Sequence, residues 1–106
     1  MGISNKNAKI FKILSVPTRL EIIELLKQRP FCVNALSHRL NVSPAAVSQH
    51  LKILKDAEIV IAKKRGYFVH YSINKTTLSE LKKTAYKIFE YAPENDKNDP
   101  FTSANN

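Results

Sequence analysis

The soft or near-neutral groups best suited to attack, proton transfer and metal binding are few in this 106-residue chain: one cysteine, Cys32, and three histidines, His38, His50 and His70. Zinc takes four ligands of N, S or O type, and a thiophilic ion wants two or three soft ones. These four residues lack close ligand spacing, so no metal site is assigned. Cys32 with a histidine could form a nucleophile dyad, but no local signature supports the pairing. Cys32 reads as a small buried hydrophobe, with a redox-sensing thiol as the minor reading because no second cysteine could resolve it. His38 reads as a solvated residue, His50 as a helix-flank hydrogen-bonder or phosphate contact, and His70 as a strand residue. Glu21 and Glu24, the carboxylate pair at helical spacing ahead of the acidic tail, read as a solvated edge beside Arg19 and Lys27. After Gly2 the sole glycine is Gly66, which excludes the glycine-rich phosphate loops of nucleotide-dependent enzymes. No catalytic residue and no cofactor are assigned, and the chain does not read as an enzyme.

A different chemistry is legible between Ser43 and Lys55. Val47, Leu51 and Leu54 form one helical stripe, and Ala45, Ser48, Gln49 and Lys52 form the opposite one. Short or flat polar groups near a helix N-terminus suit entry into a major groove. Ala45 can touch a thymine methyl, Ser48 can donate or accept, and Gln49 can bond adenine through two groups. Ser43, Lys52 and Lys55 are placed to meet phosphates. Lys63, Lys64 and Arg65 supply a second basic cluster.

The elements that position these residues follow from periodicity. A helix is expected over Asn5–Leu14, with Ile10, Phe11 and Leu14 among its apolar residues. Pro17 opens a second helix, whose broad apolar face is Leu20, Ile22, Ile23, Leu25 and Leu26, and Pro30 stops it. A third runs from about Cys32 to Leu40, ending at Asn41 in a left-handed conformation. Ser43 and Pro44 then start a fourth, running to about Glu58. Ile59, Ile61, Val69, Tyr71 and Ile73 alternate around a Lys63-Lys64-Arg65-Gly66 turn, a β-hairpin with a basic tip. A last helix runs from Lys75 to about Tyr91, where Leu78, Leu81, Ala85, Ile88 and Ala92 form a heptad seam. The order predicts a mainly α fold with a small β-hairpin, a winged helix-turn-helix with a helix added at each end. The domain is expected over residues 1–92, followed at 93–106 by an acidic, Asn-rich flexible tail.

Charge agrees with this division. Net charge is +8. Residues 1–89 hold 16 basic and 5 acidic side chains, whereas Lys97 faces Glu90, Glu94, Asp96 and Asp99 in the remainder. A basic body suits a polyanion. No apolar run exceeds four residues, so no membrane span is expected, and a lone cysteine points to a reducing cytoplasm. A rival reading is a winged-helix module for RNA or a protein partner, with Tyr67 and Phe68 as its stacking aromatics.

Three segments carry a resemblance: Leu14-Ser15-Val16-Pro17-Thr18-Arg19-Leu20, Val47-Ser48-Gln49-His50-Leu51-Lys52-Ile53-Leu54 and Gly66-Tyr67-Phe68-Val69-His70-Tyr71. Over about Lys9 to Phe89 the chain resembles the ArsR-type (ArsR/SmtB) repressors. The resemblance implies a homodimeric repressor on a palindromic operator of double-stranded DNA, with base contacts from Ala45, Ser48 and Gln49. The dimer interface would combine Leu78, Leu81, Ala85 and Ile88 with Ile10, Phe11 and Leu14. Departures from the family pattern are Val16 in place of a capping Asp or Asn, Ala45 in place of a polar residue, and Asn41 and Glu58 in place of glycines. Cys32-Val33-Asn34 stands where the family's metalloid site has two cysteines, and Thr77–Tyr91 lacks the His and Asp of its second metal site. The inducer is therefore not identified, and a thiol-based or metalloid trigger through Cys32 is the alternative.

Overall fold

The computed structural model describes residues 4–91. Helix α1 spans Asn5–Leu14, capped by the Ser4 hydroxyl, which accepts from the Asn7 N–H. Helix α2 spans Pro17–Leu26. Its first position is Pro17 and its N-cap Val16 makes no side-chain bond, as that departure from the family pattern implies. Ile22, Ile23 and Leu26 face inward from α2, while Leu20 is 48% exposed.

Helix α3, Val33–Leu40, and helix α4, Pro44–Asp56, form the helix-turn-helix. Asn41 ends α3 at φ 55 and ψ 44, the left-handed conformation that a short amide side chain tolerates. The backbone N–H groups of Asn41 and Val42 both donate to the Ser37 carbonyl, and the Ser37 hydroxyl donates to that of Val42. These three bonds tie the turn back onto the last turn of α3 and so help fix the angle between the two helices. Ser43 caps α4, its hydroxyl accepting from the Ala46 N–H at 3.2 Å. Val47, Leu51 and Leu54 are fully buried. Each contributes about 1.5–3 kcal/mol by leaving water, which seats α4 on the core by one stripe only.

The sheet departs from the expectation in two ways. It has three strands, in order β1-β3-β2: Phe31–Cys32, Phe68–Ile73 and Val60–Arg65. The additional strand, β1, is two residues long and pairs Phe31 with Tyr71 and Cys32 with His70, too short to leave a period in the sequence. Cys32 is consequently the N-cap of α3 rather than its first residue. The hairpin turn is also later than expected. Lys63, Lys64 and Arg65 are strand residues paired with His70, Val69 and Phe68, and the chain reverses at Gly66-Tyr67. Gly66 supplies the positive φ, 62°. The inward residues of the first strand shift likewise: Ile59 and Val60 are buried, and Ile61 is 47% exposed. Glu58, at φ 63, turns the chain after α4, so two consecutive residues reach the core.

Helix α5, Lys75–Phe89, is capped by Asn74, whose side-chain oxygen accepts from Thr77. Leu81 closes the core from below, and Asn7 donates to the Thr84 hydroxyl to join α1 to α5. Ala92 of the expected seam and the tail from 93 to 106 lie outside the described residues.

Candidate nucleic-acid interface

Burying one stripe of α4 necessarily presents the other. Ala45, Ser48, Gln49, Lys52 and Lys55 are all exposed, as is Ser43 at the helix start. The Lys52 ammonium reaches Asp56 one turn on, at 3.2 Å. Such an exposed pair is worth about 0–1 kcal/mol, so a phosphate can displace it cheaply. The N-terminus of α4, at the exposed Ser43, favours negative charge.

The wing contributes a second set. Lys63, Lys64 and Arg65 are exposed, but their place on a strand splits them between two faces. Lys63 and Arg65 share one face and Lys64 takes the other. The tip itself is Tyr67, 100% exposed, beside Phe68 at 56%.

Arg19 has a role that the sequence did not reveal. It was expected beside Glu21 and Glu24 together with Lys27; Lys27 does pair with Glu24, at 2.7 Å, whereas Arg19 pairs with neither glutamate among the described residues. The Arg19 guanidinium turns inward. Its Nη1 donates to the Ile13 carbonyl at 3.0 Å and its Nε donates to His50 Nδ1 at 3.1 Å. One side chain of α2 thereby ties the end of α1 to α4. Since Nδ1 accepts, the neutral imidazole carries its proton on Nε2. Burial first, and the Arg19 charge second, hold the His50 pKa below its ordinary value. Hydrophobic periodicity carries no signal for such a polar bracket.

The remaining candidate ligands are not brought together. His38 is exposed on α3, whereas His70 sits in β3 opposite Cys32 on one side and Lys63 on the other. Cys32 is half-buried, a weaker burial than expected of a core residue. Among the described residues no three of His, Cys, Asp and Glu form a metal-holding group.

The conserved-family model described as bacterial regulatory protein, arsR family, matches residues 16–62, from the approach to α2 into β2. Transcriptional repressor SdpR of Bacillus subtilis (strain 168) is 38% identical over 71 residues, which cover 67% of this chain and 79% of that protein. The chain belongs to the arsR family. It is a DNA-binding transcriptional regulator built on a winged helix-turn-helix. Another arsR-family relative, the arsenical resistance operon repressor of Staphylococcus xylosus, is 38% identical over 65 residues, 61% of this chain and 62% of its own length. The solved structure of an ArsR-like transcriptional regulator from Rhodococcus sp. RHA1 superposes with a TM-score of 0.71 at 30% identity, covering 78% of each chain. These relatives favour neither the RNA- or protein-binding module nor an enzyme.

Proposed function

We propose that this arsR-family protein is a homodimeric repressor that reads a palindromic operator, with one α4 in each of two successive major grooves. The observation that carries the reading is the exposed stripe Ala45, Ser48 and Gln49 on a helix anchored by its opposite side. Ala45, Ser48 and Gln49 contact bases. Ser43, Lys52, Lys55 and the wing residues Lys63, Lys64 and Arg65 contact the backbone, with Lys63 and Arg65 or Lys64 nearer the duplex according to which wing face it meets. Repression is supported by the relatives, whose names describe repressors.

Pairing is supported by α5. Tyr86, Ile88, Phe89 and Tyr91 are 67%, 50%, 80% and 66% exposed, an apolar surface that a monomer would leave in water. The expected seam divides along its length. Ile10 and Leu81 are already closed within one chain, at 4% and 7% exposure, and Phe11, Leu14 and Leu78 pack partly against the same core. Ala85 and Ile88, with Tyr86 and Phe89, retain the surface that a partner can cover. Two-fold pairing there matches two half-sites.

A single half-buried Cys32 does not make a soft-metal site in one chain, so zinc, cadmium and arsenite at micromolar levels are expected to leave the DNA complex intact. The regulator is assigned to the cytoplasm, where DNA lies. Selection of bound duplexes from a random pool, followed by sizing of the complex, tests the function. Enrichment of an inverted repeat bound by two chains is expected. Enrichment of nothing beyond random duplex would overturn sequence-specific reading.

A further inference from the structure

DNA reading makes no use of a cavity of about 420 Å³ between α1 and the C-terminal half of α4. Its floor is apolar: Ile10 and Ile13 from α1, Ile53 and Ala57 from the end of α4. The volume lies in the range of small-molecule sites, and the other four of its eight lining residues are charged: Lys6, Lys9, Asp56 and Glu58. Those polar groups are unequal. Lys6 stands 3.9 Å from Glu58, and Asp56 is engaged by Lys52 at 3.2 Å. Lys9 lines the rim and makes no ion pair among the described residues. The lining thus holds two lysines and two carboxylates, and Lys9 is its one cation without an ion pair among the described residues, so it is the group open to an added anion.

One lining residue, Ile13, is also an end of the Arg19 bracket, and the other end, His50, stands on the helix that supplies the opposite wall. His50, Ile53 and Ala57 step by three and four along one flank of α4. Ile13 lends its side chain to the floor and its carbonyl to Arg19, which bonds His50 in turn. A hydrogen bond of 3.0 Å has little slack, so moving α1 from α4 by an ångström would break one of the two.

We propose that the cavity binds a small monocarboxylate with an apolar body, its carboxylate on Lys9, and that the occupant alters DNA binding through the Arg19 bracket. This rests on the DNA-reading function above. A ligand lodged between α1 and α4 is sensitive to their spacing, and the reading helix needs one fixed seat to present Ser48 and Gln49. A ligand that fits the DNA-free spacing better must, by linkage, lower DNA affinity to the same degree.

The test uses the whole chain with labelled isoleucine methyl groups, and octanoate, phenylacetate and octanamide as probes. Saturable shifts confined to Ile10, Ile13 and Ile53 are expected. Lys9→Gln, an exposed change, should weaken octanoate about fivefold or more and leave octanamide unaltered. Ala57→Phe should fill the cavity and abolish both, with a native-like spectrum as its folding control. Saturating octanoate should weaken binding to the selected operator by about fivefold or more in the natural chain, the lower end of ordinary coupling. No saturable shift with either acid would overturn the site, as would be seen if the second copy of the chain closes the cavity. Shifts with unchanged DNA affinity would overturn the coupling. The methyl titration needs no DNA, so a failure of sequence-specific reading, seen without ligand, is separately visible.

Discussion

Removing Arg19 should cost far more than its place on the surface of α2 suggests. Arg19→Ala deletes two part-buried hydrogen bonds from a charged donor, one to the Ile13 carbonyl and one to His50 Nδ1. Bonds to charged groups contribute about 1.5–3 kcal/mol each. Partial exposure favours the lower end, so the pair is worth about 3 kcal/mol, a fall in Tm on the order of 10–20 °C for a domain of this size. His50→Ala should lose about half as much, because Arg19 keeps its bond to Ile13. The two changes share one bond, so a double-mutant cycle by urea unfolding at fixed protein concentration should show a coupling of about 1 kcal/mol. The direction with pH follows from the lowered His50 pKa. Below the ordinary value of 6.5 the unfolded chain takes up the proton first. The contribution is therefore complete above that pH and is lost as pH falls through the lowered folded value. In His50→Gln, whose amide oxygen accepts at any pH, this part of the acid slope should vanish. Strict additivity of Arg19→Ala and His50→Ala, together with an unchanged acid slope in His50→Gln, would refute the bracket.

Other outcomes follow from particular residues. Glu58 holds a left-handed φ of 63° and its ion pair with Lys6 is exposed, so Glu58→Gly should raise stability to urea by about 0.5–1 kcal/mol; a loss would contradict the strain. Phe89→Glu should shift sedimentation towards monomer without unfolding the chain, whereas Leu81→Glu should unfold it, since Leu81 is in the core of one chain. An unchanged dimer in Phe89→Glu would remove the α5 interface. Arg65→Ala should weaken operator and random duplex alike and lower the salt slope by about one per contact, as measured by titration at several salt concentrations.

What the sequence disclosed and what it withheld have physical causes. The helices were legible because Ser43-Pro44, Asn41 and Asn74 are start and stop signals that act within one turn, and the structure uses all of them. The exposed polar stripe of α4 was legible because a helix buried by Val47, Leu51 and Leu54 has only one remaining side. Strand β1 was hidden because two residues have no period, and its pairing partner lies about forty positions away. The turn was placed too early because basic residues suit an exposed strand as well as a tip, so Lys63–Arg65 gave no local cue. The expected dimer seam mixed two environments because heptad spacing tells which residues share a side, and not whether the core of the same chain has already claimed them. Ile10 and Leu81 are that case. The Arg19 bracket was invisible for the same reason: a polar contact between residues 31 apart obeys no periodicity.

The central claim is that Gln49, on the exposed side of α4, reads a base. Its most direct measurement is the affinity of the natural chain and of Gln49→Ala for the selected operator and for random duplex at one salt concentration. A loss of about 1–3 kcal/mol on the operator with little change on random duplex is expected. An equal loss on both duplexes would contradict the claim, because it would make Gln49 a backbone contact and leave the stripe without its reader.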